Sequence, residues 1–212
     1  MMAGNRGNSV SYSTPIQIVR GPEIIDDPCV ALQELAIQNY GPSSALPVSL
    51  LRSWYEKNRA IFKIAVTSDK SVVGYFSCLP LCAQIFGRTT DPDFQEGSIT
   101  TDDIDIPMWP SNGGVFISSV VVAPEYQKRS PASLLLRLAF IGDLIRDCPG
   151  ENQAIRISAQ ALSPKGEACM RSLGLKAWDL TTTGRKVYYG KLGRAELIDV
   201  QKELQHKLTI RF

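Results

Sequence analysis

The stretch GVFISSVVVAPEYQKRSPASLLLRLAFIGDLI, residues 114–145, decides how the chain folds. Its apolar, β-branched run over 115–122 has the composition of a buried strand. A polar hinge covers 123–130. An apolar helix then opens, with Ser130 as N-cap and Pro131 at the first helical position. The first turn of such a helix leaves backbone N–H groups unpaired at the positive end of its dipole. Lys128 and Arg129 stand immediately before it, and the combination suits a phosphate or pyrophosphate group.

Upstream, residues 16–20 alternate as a short strand. Asp27 and Pro28 open a helix over 29–40 as N-cap and first helical residue, and Gly41-Pro42 ends it. A second helix covers 47–58. Residues 61–67 and 71–79 form an antiparallel hairpin around Ser68-Asp69-Lys70, with Gly74 marking a bulge or a close backbone approach. Downstream, 154–161 (AIRISAQA) alternates as a strand, and Ser163-Pro164 repeats the cap arrangement for a short helix to Ser172 that Gly174 terminates. A second hairpin spans 175–182 and 186–189, and an amphipathic helix covers 194–208. The order β-α-α-β-β-β-α-β-α-β-β-α describes a mixed α/β layered fold around one sheet.

The character changes over 83–112. There Asp91, Asp93, Glu96, Asp102, Asp103 and Asp105 stand against Arg88 alone, a local charge of −5 in a chain of net charge +2. Structureless stretches of this length are uncommon in compact domains. It reads as a solvated surface insertion, or as a lid whose carboxylates (91–105) attract a cationic amine.

Composition narrows the function. With 23 Lys and Arg against 21 Asp and Glu, nothing points to nucleic acid or to a membrane surface. No apolar run reaches membrane-spanning length, and the polar N-terminus does not resemble a signal peptide. Five cysteines without paired spacing and a single histidine, His206, argue for free thiols and against zinc, so the expectation is a cytoplasmic protein with no metal. Residues 1–14 read as a flexible tail, 15–192 as one domain, and 193–212 as a C-terminal helix, in a monomer or homodimer.

The order and the residues together resemble the GNAT superfamily of acyl-CoA-dependent N-acyltransferases, over about residues 16–191. Its signature runs from an apolar strand through Pro, an acidic and an aromatic residue to [Q/R]-x-x-G-x-[G/A]. Here it reads Val120-Val121-Val122-Ala123-Pro124-Glu125-Tyr126, then Gln127-Lys128-Arg129-Ser130-Pro131-Ala132. A second match, 163–175 (SPKGEACMRSLGL), is similar to the family's next helix. The resemblance implies an α/β (α+β) fold: a mixed, mostly antiparallel sheet of six to seven strands with helices on both faces. It also implies acetyl-CoA (acyl-CoA) as co-substrate, with an acetyl group moved directly to a primary amine of a small molecule or protein. The alternative is a non-catalytic acyl-CoA-binding or regulatory protein of the same fold.

Carried over residue by residue, Val120, Val121 and Val122 would bond the pantetheine arm as an added strand. Gln127, Lys128, Arg129, Ser130, Pro131, Ala132 and Ser133 would cradle the pyrophosphate, and Ser163 takes the place of the family's Asn. Ser130 replaces the usual Gly; it is strained if φ is positive there and favourable if it caps the helix. The strand N–H groups of Val121 or Val122 would stabilise the oxyanion. Two customary catalytic positions are vacant: Ser118 or Ser119 stands where a Glu is usual, and Met170 where a Tyr is. The candidates that remain are Ser118 and Ser119 as holders of a relay water, and Tyr188 or Tyr189 as acid. Cys78 and Cys169 read as core thiols.

Overall fold

A computed structural model of the chain describes residues 15–19, 27–91, 93–110, 112–127, 130–180 and 186–211. The tail over 1–14 lies outside them. Strands β1 (Ile16–Val19), β2 (Phe62–Thr67), β3 (Val72–Leu81), β4 (Gly114–Val122), β5 (Ala154–Ala161), β6 (Lys176–Leu180) and β7 (Lys186–Gly193) share one sheet in the order β1-β2-β3-β4-β5-β7-β6. Among the described residues only β4 and β5 run parallel; every other strand pair is antiparallel. The expected architecture is therefore observed.

Helices α1 (Cys29–Tyr40) and α2 (Val48–Lys57) cover one face of the sheet, burying Leu32, Leu35, Leu51 and Trp54 against Phe62, Ile64, Tyr75 and Val121. On the other face lie α4 (Ala132–Asp147), α5 (Pro164–Ser172) and α6 (Arg194–Arg211). The apolar side of α6 is covered within the chain itself: Leu197 and Leu204 are fully buried, and the helix packs on α4 and β7.

Boundaries shift by one residue at two helix starts. Pro28 (φ −78°) and Pro131 (φ −77°) are the N-caps of α1 and α4, one residue later than expected from Asp27 and Ser130. Proline's fixed φ suits either position. The preceding side chains still serve: Asp27 Oδ1 accepts from the Cys29 N–H at 3.0 Å, and Ser130 Oγ from the Ala132 N–H at 3.3 Å. Among described non-glycine residues only Lys70 has positive φ, so Ser130 carries no left-handed strain. At α5 the expected cap holds, with Ser163 Oγ accepting from the Gly166 N–H at 3.1 Å. The helix closes at Gly174 (φ +80°), where the N–H groups of Gly174 and Leu175 reach the carbonyls of Arg171 and Met170.

Gly74 makes the close approach its sequence position foretold. A Cβ there would lie 2.8 Å from the Val121 carbonyl oxygen and 3.3 Å from Val122 Cα. Both contacts are backbone atoms of β4 and cannot swing aside. Gly74→Ala is expected to cost about 1–3 kcal/mol, read as a lower urea midpoint at constant m-value.

The insertion is the main departure from expectation. Its first residues form a helix, α3 (Ala83–Arg88), and the rest is neither loose nor fully solvated. Phe86, Phe94, Ile99, Ile104, Met108 and Trp109 are buried. Trp54 Nε1 donates to the Ile99 carbonyl at 3.2 Å, and Asn58 Nδ2 to those of Asp105 and Ile106 at 3.0 and 2.7 Å. Six carboxylates set its charge, but these apolar side chains set its path.

One ion pair lies in the core. Lys63 on β2 and Asp143 on α4 are fully buried, Nζ to Oδ2 3.2 Å apart. Lys63 Nζ also donates to the Ala60 carbonyl and lies 3.2 Å from Cys78 Sγ, while Arg146 Nη1 donates to Asp143 Oδ1 at 2.7 Å.

Candidate active site

The site begins where the two halves of the sheet part. β4 and β5 pair only through Val115, Phe116 and Ile117 opposite Ile157, Ser158 and Ala159. Beyond that point β3 continues beside β4 to Val122, and β7 beside β5 to Ala161. The edge of β4 that faced β5 thus loses its strand partner from Ser118 onward.

A bulge sharpens the break. Ser77 pairs with Ser119 and Cys78 with Ile117, leaving Ser118 as an extra residue on β4. Such an insertion re-aims the side chain and interrupts the ladder. Ser118, Ser119 and Val120 are half-buried in a strand whose remaining residues are buried.

Backbone direction follows by alternation. The Ala123 N–H donates to the Val73 carbonyl at 2.8 Å, so Val121 and Ala123 turn their backbone groups toward β3. Val120 and Val122 turn theirs to the gap. Tyr40 Oη donates to the Val120 carbonyl at 3.0 Å, and Gln127 Nε2 to the Val122 carbonyl at 2.9 Å. This corrects the expectation for Val121: its backbone faces β3, and the gap-facing pair is Val120 and Val122.

A cavity of about 90 Å³ occupies the gap. Leu46, Leu51 and Phe62 give it an apolar wall, and the lining also includes Gln160, Ser163 and Met170. Glu96 reaches into it from the insertion, and Ser118 Oγ donates to Glu96 Oε1. Tyr75 Oη donates to Ser119 Oγ at 3.3 Å. Burial pushes the phenol pKa values of Tyr40 and Tyr75 up, with the Glu96 charge adding to the effect, so both remain neutral donors.

In the sequence Glu96 is one charge among six. The position expected to lack a carboxylate therefore carries one after all, contributed by another segment. Phe94, Ile99 and Ile104 pack into the core on either side of the turn Glu96–Ser98 and hold it over the gap.

The other expected residues are distributed unevenly. Gln127 is a staple: besides Val122 it donates to Asn39 Oδ1 at 3.1 Å and accepts from Lys165 Nζ at 2.8 Å. Ser130 donates to the Tyr126 carbonyl at 2.8 Å. With Pro131, Ala132 and Ser133 it forms the entry to α4, which follows β4 through the turn Pro124–Tyr126. Lys128 and Arg129 lie outside the described residues. Ser163 lines the cavity, its hydroxyl oxygen already capping α5.

Tyr188 and Tyr189 do not line the cavity. Tyr188 is buried beneath α5, its hydroxyl 3.1 Å from Glu167 Oε2 and 3.0 Å from Arg171 Nη1. Tyr189 faces the opposite side, against Phe86 and Trp178. Alternation separates the pair as expected, but neither face turns a phenol toward the gap. Cys78 and Cys169 are held as neutral thiols, burial raising the pKa of each.

The cluster around Glu167 has its own pH signature. The Lys186 ammonium at 2.9 Å is the main cause of a carboxyl pKa below the ordinary 4.5. A depressed folded-state pKa contributes stability above the unfolded value, and that stability is lost as pH falls through the folded one. Glu167→Gln is therefore expected to flatten the acid limb of stability against pH below about 4.5, followed by urea unfolding at a series of pH values.

Compared with known proteins, the sequence matches no family model and no curated protein. The fold has clear counterparts. The loading GNATL domain of CurA from Lyngbya majuscula superposes with a TM-score of 0.61 at 13% identity, over 84% of this chain and 98% of that one. The chain has the GNAT fold. A chain of the NatC complex, solved with a Gag peptide and CoA, gives a TM-score of 0.54 at 11% identity, covering 84% and 98%. Mosquito arylalkylamine N-acetyltransferase like 5b gives 0.53 at 12%, covering 84% and 100%. The run over 120–127 that resembles the GNAT signature starts on the unpaired edge of β4 and continues through the turn Pro124–Tyr126. No described helix is long and apolar enough to cross a membrane.

Proposed function

We propose that the protein is an acyl-CoA-dependent N-acyltransferase that moves an acetyl group from acetyl-CoA directly to a primary amine. The observation that carries this reading is the parted β4–β5 edge with a carboxylate, Glu96, anchored on the bulge residue Ser118. The GNAT fold of the chain supports it, as do the CoA and peptide of the NatC structure.

The pantetheine arm lies along the free edge of β4 and bonds the backbone of Val120 and Val122. Their carbonyls each accept one side-chain hydrogen bond already, and a carbonyl has a second lone pair. The pyrophosphate sits at the entry to α4, over Ser130, Pro131, Ala132 and Ser133, with Lys128 and Arg129 supplying positive charge.

Glu96 takes a proton from the acceptor ammonium, directly or through a water held by Ser118 and Ser119. The freed nitrogen lone pair attacks the thioester carbonyl carbon. The Val120 N–H stabilises the oxyanion that forms. The C–S bond then breaks, the amide forms, and the CoA thiolate leaves with a proton from the protonated nitrogen or Glu96. CoA thiolate is a tolerable leaving group, so Met170, with no proton to give, does not block transfer; positioning supplies much of the rate. Five free thiols suit a reducing compartment, and a cytoplasmic setting belongs to the proposal.

Titration calorimetry with acetyl-CoA and with CoA tests the first half of this reading. Saturable one-to-one binding is expected. Absence of heat at high micromolar ligand would count against both the enzyme and a non-catalytic CoA-binding protein of the same fold.

A further inference from the structure

Two buried polar atoms at the cavity have no hydrogen-bond partner among the described residues: Ser77 Oγ and Gln160 Nε2. Ser77 is 1% exposed. Buried donors without a partner are costly, and native structures keep few of them. An unfilled ligand position is a direct explanation when both line one cavity.

Their face of the sheet identifies which ligand. On β5, Ile155, Ile157, Ala159 and Ala161 all point into the core beneath α4, α5 and α6. Gln160 alternates with them and so faces the side covered by α1 and α2. Ser77 stands two residues beyond Tyr75, which belongs to that same side. Glu96 descends from there too, between the buried Phe94 and Ile99. Both atoms therefore share a side of the cavity with the carboxylate that receives the amine.

We propose that the acceptor is an α-amino carbonyl compound with an apolar side chain, in which Glu96 takes the amine while Gln160 Nε2 and Ser77 Oγ donate to the neighbouring carbonyl oxygen. This rests on the acyltransferase reading. A simple alkylamine reaches Glu96 and offers both donors no acceptor. A neutral carbonyl satisfies all three, whereas a carboxylate would bring a second negative charge beside Glu96. The apolar wall of Leu46, Leu51 and Phe62 receives the side chain.

The test is CoA thiol release from acetyl-CoA with two matched amines, phenylalanine amide and phenethylamine, which differ by the carboxamide. The wild-type kcat/KM is expected to favour the amide by about 10–100-fold, because a site built to bond an oxygen rejects the analogue lacking it. Gln160→Leu and Ser77→Ala should each pull that ratio toward one. A short peptide beginning with Phe, run beside the amide, separates the sources of the shared chemistry: preference for the peptide assigns a chain N-terminus, and preference for the amide a small molecule. A wild-type ratio near one overturns the inference and leaves the acyltransferase reading standing. So does an equal loss with both amines in Gln160→Leu, which would place that donor on the acyl carbonyl instead. Absence of amine-dependent release with all three acceptors also overturns this inference, and the acyltransferase reading falls with it only if a wider panel of primary amines gives none either.

Discussion

Glu96→Gln is expected to lower kcat by about 10²–10⁴-fold, the range over which a positioned general base contributes, while CoA affinity stays within about 2-fold of wild type. The glutamine carbonyl can still accept from Ser118 Oγ, so the turn Glu96–Ser98 keeps its anchor and the fold is undisturbed. Only the ability to take a proton is removed. Ser118→Ala is the complementary change: it keeps the base and frees it to wander, with an expected loss in kcat of about 10-fold, since small misplacements cost heavily in a positioned site. Steady-state kinetics give kcat and KM separately, and calorimetry gives CoA affinity. A Glu96→Gln variant with wild-type turnover would remove the carboxylate from the chemistry and leave it as an anchor for the insertion.

The second large effect is on stability. Lys63→Met or Asp143→Leu alone is expected to cost about 3–5 kcal/mol, because each strands its partner's charge in a fully buried site. For a chain of this size that lowers Tm by roughly 10 °C. The double replacement should recover most of the loss, since two apolar side chains of similar length leave no charge to compensate. Cys78 and Arg146, which also touch the pair, remain in both singles and the double, so the double-mutant cycle isolates the Lys63–Asp143 coupling. Single losses below about 1 kcal/mol would mean that water reaches the pair.

Residues 114–145 announced strand, turn and helix because a β-branched run gave way to Ser-Pro and then to an apolar helix. The same local chemistry located α5 and its Gly174 stop. It misplaced the starts of α1 and α4 by one residue for a local reason: proline's fixed φ is compatible with the cap as well as with the first helical position. Gly74 was legible because only a close backbone neighbour makes glycine useful in a strand interior.

The chemistry of the site was less visible because it depends on contacts far apart in sequence. Glu96 lies 22 residues from Ser118, and its place is set by Phe94, Ile99 and Ile104 packing inward, inside a segment whose charges suggested solvent. Those apolar residues, spaced through the acidic run, were the available signal. Gln160 could be assigned to the polar face of β5 from AIRISAQA, but not to the point where β4 and β5 part. Alternation likewise separated Tyr188 from Tyr189 without saying that neither phenol lines the cavity.

Amine-dependent transfer from acetyl-CoA is read without intermediary by thiol release from the wild-type chain across a panel of primary amines. Release is expected to rise with amine concentration, saturate, and match N-acetylated product one for one. If CoA binds and release stays at the rate of hydrolysis with every amine, the GNAT fold here holds acyl-CoA without transferring from it, and the enzyme reading is wrong.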